Sequence, residues 1–339
     1  MPTPFPPNRQ VILSSRPKGV PQPEHFTLSS AAVRPPAAGE ILMRNHHLSV
    51  DPAQRGWAND EGNYSDPVPL GSAMRALAVG EIVESRAPGY AAGDFVYGWF
   101  GWQDYCTTTT AAVLRLVAET DLPLTASLGV LGINGLTAHL AFHSLGRPRA
   151  GETVLVSTAA GSVGSFVGQL ANLAGCRAVG VTGSAEKVAA ATTRYGYAQA
   201  VDYRASADIA ADIAAACPAG IDIFYDNTGG AIGDAARALM NTGGRIIQCG
   251  TASIPHWTPP PQGPRSERQV LTKRLSWSGF VIFDHLAAFP ATAASLADLI
   301  RAGRLTYDED ITAGLENAPA VLAGLYRGEN LGKAIVSLV

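Results

Sequence analysis

The segment best equipped for chemistry is residues 154–170, VLVSTAAGSVGSFVGQL. An apolar run that reads as a strand passes into Ala159-Ala160-Gly161-Ser162-Val163-Gly164, then into a small-residue stretch that reads as a helix. This is the GxGxxG phosphate-binding pattern with alanine at its first position. Gly161 lets the backbone approach a pyrophosphate, and Gly164 lets the helix pack close to the strand. Ser162 and Val163 complete the turn. The helix start adds N–H groups and a partial positive charge that favour an anion. The end of the second strand decides which dinucleotide fits. An NAD site places a carboxylate there to accept hydrogen bonds from the adenosine ribose. This chain has Gly180-Val181-Thr182-Gly183-Ser184, with no acid before Glu186 and with Lys187 directly after it. A missing carboxylate removes a repulsion and a nearby ammonium adds an attraction, so the pattern predicts NADP(H). On spacing alone Lys187 also fits an ordinary solvated helix position.

Metal chemistry is not expected. Cys106, Cys176, Cys217 and Cys249 lie far apart with no CxxC spacing, and read as free thiols of a reducing cytoplasm. His46 and His47 are neighbours on a strand and point to opposite faces. His139 and His143 share a helix face, but no glutamate lies between them and small or apolar residues surround them, so packing is the expected role. Zinc sites need closely spaced Cys, His or carboxylate ligands. Without such an ion, alcohol oxidation of the zinc type is disfavoured.

The elements that must position these residues fall into two groups. Up to about residue 120 the chain is rich in turns. Strand-like runs (VILSS, EILMRNHHLSV, LAVGEIVES, DFVYGWFGW, YCTTT) are punctuated by Pro and Gly. Strands then alternate with helices: ETVLVS, RAVGVTG, AVDY, IDIFYDN, GRIIQCG and LSWSGFVIF are separated by helical stretches, which predicts a doubly wound parallel sheet. The predicted organisation is a β-rich lobe, residues 1–125 and 309–339, with an α/β lobe, residues 126–308, inserted before its last elements. The 339 residues exceed what one core usually serves, in keeping with two lobes. With 25 Lys+Arg against 28 Asp+Glu, there is no basic excess for nucleic acid or anionic lipid. No apolar run approaches a membrane span, and the first residues, MPTPFPPNRQV, do not read as a signal peptide. A cytoplasmic protein acting on small molecules is expected.

Collinear blocks then carry a resemblance that covers the chain from about Val11 onward. They are NHHLSVDPAQRG, PVPLGSAMRALAVGEIVES, the long stretch from GVLGINGLTAHL to GSAEKV, GIDIFYDNTGG, PPQGPRSERQVLTKRLSWSGFVIFD and EDITAGLENAPAVLAGLYRGENLGK. The chain resembles the zinc-independent medium-chain dehydrogenase/reductases, in the NADP-dependent alkenal and enone double-bond reductase branch that holds prostaglandin and curcumin reductases. The resemblance implies a GroES-like catalytic domain and a Rossmann domain, joined into homodimers through the edge strand SWSGFVIF. It implies hydride transfer from NADPH to the β-carbon of an α,β-unsaturated ketone or aldehyde, with hydrogen bonds stabilising the enolate oxygen.

By the same resemblance, Gly161, Ser162, Val163 and Gly164 hold the pyrophosphate, and Lys187 and Tyr203 the 2′-phosphate. Asn227 contacts the cofactor beyond the fourth strand. Cys249, Gly250, Thr251, Ala252 and Ser253, with Phe280, Val281 and Ile282, line the nicotinamide side, and Asn330 closes the site from the tail. Tyr64 matches a loop tyrosine that faces the substrate. Thr272 stands where some members have a tyrosine that helps bind the enolate oxygen or the ribose hydroxyl. Asn134 replaces a more usual proline or small residue near the nicotinamide. Quinone reduction, or NADPH binding without catalysis, remain the alternatives that the residues allow.

Overall fold

Strands rich in branched and aromatic residues, stopped by Pro and Gly, build the first part of the molecule. The computed structural model describes residues 5–60, 63–254 and 256–339. Its first strands are β1 (Asn8–Leu13), β2 (Phe26–Ala31), β3 (Glu40–Ser49), β4 (Leu77–Ser85), β5 (Phe95–Trp99), β6 (Tyr105–Thr109) and β7 (Val113–Leu116), with the short helix α1 (Ala53–Ala58) after β3. β1 and β2 form an antiparallel pair. β3 pairs antiparallel with both β4 and β6 and buries Ile41, Leu42, Met43 and Leu48.

The second part alternates. It contains α2 (Ile133–Ala141), β8 (Thr153–Ser157), α3 (Gly164–Leu173), β9 (Arg177–Thr182), α4 (Ala185–Arg194), β10 (Gln199–Asp202), α5 (Ile209–Ala216), β11 (Ile221–Asp226), α6 (Gly230–Leu239), β12 (Met240–Gln248), α7 (Glu267–Lys273), β13 (Ser276–Gly279) and α8 (Phe289–Arg301). The six strands are all parallel, in the order β10-β9-β8-β11-β12-β13. This is a doubly wound Rossmann sheet whose order reverses between β8 and β11, the point where such sheets bind ligands outside their carboxyl ends. Every residue of β8 is buried, as a strand covered on both faces requires.

The tail supplies β14 (Glu309–Ala313), α9 (Ala318–Arg327) and β15 (Lys333–Ser337), and the larger β-sheet runs β14-β15-β3-β4-β5-β7 with β6 on β3. The chain accordingly divides into two units, Met1–Gly132 with Glu309–Val339, a β-rich GroES-like unit, and Ile133–Asp308, the Rossmann unit. The first junction falls at 132/133 rather than at 125/126. Residues Leu124–Leu128 coil into a helical turn that packs on β3, β4 and β15, where Ser127 accepts a 3.0 Å hydrogen bond from Arg115. LSWSGFVIF also behaves differently from the expectation. Only Ser276–Gly279 pairs with β12, and Ile282–Ala288 winds into helical turns.

Within the first unit a buried ion pair ties the tail to the loop before α1. Lys333, 2% exposed, places Nζ 2.6 Å from Asp51 Oδ1 and donates at 3.0 Å to the Val50 carbonyl. Ser49 donates its hydroxyl to the other carboxylate oxygen of Asp51. Burial pulls the Lys333 ammonium below its usual range while Asp51 opposes that shift. Removing one partner of such a pair costs about 3–5 kcal/mol.

Two glycines let the Rossmann unit close. A Cβ at Gly164 would lie 2.2 Å from the Thr158 carbonyl oxygen, so α3 can start this close to β8 only without a side chain. A Cβ at Gly180 would lie 2.6 Å from the methyl of Ala159. The alanine at the head of the phosphate-binding pattern is therefore matched by a glycine on the adjacent strand. Gly180→Ala is expected to lower stability by about 1–3 kcal/mol, as overpacking does, and Ala159→Gly in that background to recover most of the loss. Thermal melting checks this, and an unchanged melting temperature for Gly180→Ala would contradict the packing.

Candidate functional site

The turn between β8 and α3 is held by its own backbone. Thr158 takes a left-handed conformation, φ +54°. Ala159 N–H donates to the Val181 carbonyl at 3.0 Å, and Gly161 N–H to that of Thr158 at 2.8 Å. Gly161 differs from Gly164: a Cβ there would meet the Thr158 oxygen at 3.2 Å, a tight contact that falls short of a clash. Packing therefore demands a glycine at 164 far more than at 161, which fits a backbone left bare for an incoming group. The Ser162 hydroxyl oxygen is buried without a hydrogen-bond partner, at a turn where Ser165 N–H donates to the Gly161 carbonyl at 2.9 Å and Phe166 N–H to that of Val163 at 3.1 Å. An anion at this turn would satisfy the hydroxyl.

At the carboxyl ends of β9 and β10, Ser184 caps α4 by accepting the Lys187 N–H at 3.2 Å, which puts Lys187 in the first helical turn. Tyr203 N–H donates to the Thr182 carbonyl at 2.9 Å. Its ring lies against Gly183, where a Cβ would come 2.8 Å from it. Arg204, which the sequence reading missed, holds its guanidinium carbon 5.7 Å from the Tyr203 ring centre. The signal was available: a cation directly follows the tyrosine.

The ends of β8, β11, β12 and β13 bring the remaining Rossmann-unit residues together. Asp226 is fully buried and its Oδ1 accepts from Ser157 Oγ (3.1 Å), Thr228 N (2.9 Å) and Gly229 N (2.9 Å). Asn227 donates through Nδ2 to the Ser157 carbonyl and through its backbone N–H to Ser157 Oγ, both at 2.8 Å. Ser157 and Asp226 thus weld the two strands at the switch point, a role that the sequence reading did not assign. The turn of Cys249, Gly250, Thr251, Ala252 and Ser253 is stitched to the same spot. Cys249 N–H donates to the Asp226 carbonyl (2.8 Å), Ala252 N–H to Asn227 (3.2 Å) and Ser253 N–H to Thr228 (3.1 Å). Phe280 N–H donates to the Gln248 carbonyl at 3.1 Å, and its ring stacks on His285 at 4.7 Å. Ile282 is buried and Val281 half-buried beside it, and Asn134 is buried on α2.

Thr272 is not brought to this edge. It is exposed on α7, which leads into the amino end of β13, and its hydroxyl donates to the Arg268 carbonyl of its own helix at 2.7 Å. The next residue, Lys273, bonds the Ala238 carbonyl just before β12 begins, at the opposite end of the sheet from the carboxyl ends.

In the other unit, Asn330 lies in the turn before β15 and donates to the Gly332 carbonyl at 2.8 Å. Tyr64 is 56% exposed on the loop after α1, and the desolvation of its hydroxyl pushes its pKa up. α1 itself carries Arg55, whose guanidinium carbon sits 4.7 Å over the ring of Tyr326. Tyr326 donates to the Pro52 carbonyl at 2.6 Å, and its phenol is pushed up to about 12, by burial first and in part by Tyr64. Arg55 and Tyr326 thus join Tyr64 in one polar–aromatic cluster.

Comparison with known proteins fits this geometry. Residues 9–116 match the family model described as N-terminal domain of oxidoreductase, and residues 162–299 the one described as Zinc-binding dehydrogenase. The NADPH-dependent curcumin reductase of Escherichia coli is 41% identical over 334 residues, 97% of this chain and 96% of that protein. Prostaglandin reductase 1 of Sus scrofa is 37% identical, over 94% of this chain and 95% of its own. The crystal structure of CurA from Vibrio vulnificus superposes with a TM-score of 0.93 at 36% identity, covering 98% of this chain and 99% of that one. The chain belongs to the medium-chain dehydrogenase/reductases, in the double-bond reductase branch.

In this member of the family the thiols are packing groups. Among the described residues no three of His, Cys, Asp and Glu come together as a metal-binding group. The rings of His139 and His143 pack on each other at 4.6 Å. Cys249 donates to the Tyr225 hydroxyl at 3.1 Å, and that hydroxyl donates to the Thr137 carbonyl. Burial pushes the thiols of Cys106 and Cys249 up to about 12 and that of Cys217 to about 11, and raises Cys176 as well. The thiolate is the reactive form. Iodoacetamide at pH 8 is therefore expected to leave the native protein unmodified over an hour, read by intact mass. Stoichiometric labelling of Cys249 within minutes would contradict that environment.

Proposed function

We propose that this protein uses NADPH to reduce the carbon–carbon double bond of α,β-unsaturated ketones and aldehydes, without a metal ion. The observation that carries this reading is the pairing, in one Rossmann unit, of the bare turn at Gly161 with Lys187 in the first turn of α4 and Tyr203 against Gly183, where an NAD site would place a carboxylate. Relatives of the same branch, the NADPH-dependent curcumin reductase, the tobacco 2-alkenal reductase and the peppermint (+)-pulegone reductase, supply the substrate class.

The residues present fit the cofactor. Gly161, Ser162, Val163 and Gly164 would hold the pyrophosphate, and Lys187 with Tyr203 the 2′-phosphate. Asn227, Cys249, Gly250, Thr251, Ala252, Ser253, Phe280, Val281 and Ile282 would hold the nicotinamide side, with Asn330 from the tail. When bound, the reduced nicotinamide supplies a hydride to the β-carbon of the enone. The chain's part is to hold the reactants and to meet the charge that grows on the carbonyl oxygen. Tyr64 is suited to that: a phenol is protonated at neutral pH and donates a hydrogen bond where negative charge develops. Phe280 and Ile282 present apolar surface that excludes water. The α-carbon takes its proton from water or from a nearby hydroxyl. The same reading makes the protein a cytoplasmic homodimer joined through β13, which ends the sheet with Trp277 44% exposed. No helix among the described residues is long and apolar enough to cross a membrane.

The test is NADPH oxidation at 340 nm with 4-phenyl-3-buten-2-one in the presence of EDTA, with the product identified. Turnover to the saturated ketone is expected. Tyr64→Phe is expected to lower kcat roughly 100-fold, the scale of losing one donor to a developing oxyanion, with NADPH affinity unchanged. No turnover across a panel of enones and enals, or activity abolished by EDTA, would overturn the proposal.

A further inference from the structure

We propose that His139 and His143 form a two-histidine site for a divalent late transition metal, Cu(II) ahead of Ni(II) and Zn(II), separate from the reduction and independent of the NADPH reading. The two residues stand four apart where α2 passes into the π-helical turn Phe142–Gly146, so they share a face. Such turns at the end of an α-helix are rare and recur at functional sites. The ring centres are 4.6 Å apart and the rings are tilted by 58°. His143 is exposed and His139 half-buried, so the pair fills no core and an ion can reach it. Nδ1 of His139 has no hydrogen-bond partner, so no bond from that nitrogen fixes the ring.

The spacing is what a shared ion requires. An imidazole nitrogen binds these ions at about 2.0–2.1 Å, which puts the metal about 3.2 Å from the ring centre. Two nitrogens at right angles about the ion then set the ring centres about 4.5 Å apart, and two at the tetrahedral angle about 5.2 Å. The observed 4.6 Å matches the first, the arrangement of square-planar and tetragonal Cu(II) and Ni(II) sites. The tilt matters as well. A metal on a ring lone pair lies in the plane of that ring; parallel stacked rings share no such point, whereas planes inclined at 58° do. Two histidines one helical turn apart chelate a metal from one face, and imidazole suits copper, nickel and zinc alike. Among the described residues no third His, Cys, Asp or Glu joins them, which leaves the other positions to water. Asn134 stands at the start of α2 and the pair at its far end, so the ion sits apart from the residues assigned to the cofactor.

The experiment is calorimetric titration of the full-length protein, freed of metal and without NADPH, with Cu(II), Ni(II) and Zn(II) chlorides at neutral pH, together with electron paramagnetic resonance of the Cu(II) form. One strong Cu(II) site per chain is expected, with Ni(II) bound more weakly and Zn(II) more weakly still, and with two equatorial imidazole nitrogens in the spectrum. His139→Gln and His143→Ala are each expected to weaken Cu(II) at least tenfold, since either leaves a single ligand, and to reduce the imidazole count to one. His143→Ala removes an exposed side chain, so its fold is preserved, and an unchanged melting temperature of the metal-free variant checks this. His256→Ala, another exposed histidine, is expected to leave binding as it was. Binding of none of the three ions, a loss caused by only one of the two substitutions, or a Cu(II) spectrum with one imidazole in the wild type would overturn the proposal. Zn(II) bound more tightly than Ni(II) would overturn the right-angled geometry on which it stands.

Discussion

The structure depends on how closely one helix can approach one strand. α3 starts where a single added carbon at Gly164 would run into the Thr158 carbonyl, and everything at the carboxyl edge of the Rossmann sheet is arranged around that contact. Because α3 begins so near the strand, its first turn closes on the loop itself, with Ser165 N–H donating to the Gly161 carbonyl. The left-handed Thr158 turns the chain into this approach, and the methyl of Ala159 occupies space that Gly180 leaves vacant on β9. A larger residue at any of these positions would move the helix start away from the carboxyl edge of the sheet.

Around that contact, hydrogen bonds set the neighbouring loops with little freedom. The buried Asp226 carboxylate and the Ser157 hydroxyl join the ends of β8 and β11, and the 249–253 turn is bonded to residues 226–228 in its turn. Through Oδ1 alone the carboxylate accepts from Ser157, Thr228 and Gly229, which fixes this part of the framework. In the GroES-like unit the Asp51–Lys333 pair has the corresponding place, holding the last strand to the loop that leads to Arg55, Trp57 and Tyr64.

Much of this was legible in the sequence because it is local. The strand–turn–helix around Gly161 and Gly164 is written in contiguous residues, and the alternation of strands and helices sets a parallel sheet whatever the details of each boundary. What escaped the sequence is what joins distant segments. Tyr326 bonds Pro52 across 274 residues, and no spacing rule links them. The match of Ala159 to Gly180 needs the register of β8 on β9. The helical turn at 124–128 joined the β-rich unit through packing that its small-residue texture concealed. The family resemblance puts Thr272 near the substrate, yet its helix approaches β13 from the amino end, where the sheet's direction takes it away from the carboxyl edge.

Hydride delivery from the reduced cofactor to an activated olefin is tested most directly by tracing the hydrogen. With NADPH deuterated at the transferring position of the nicotinamide and 4-phenyl-3-buten-2-one as substrate, the account places one deuterium at the β-carbon of 4-phenyl-2-butanone. With ordinary NADPH in heavy water, it places the label at the α-carbon. Deuterium on the carbinol carbon of an alcohol product, or no transfer of label from the cofactor to the carbon skeleton, would contradict it.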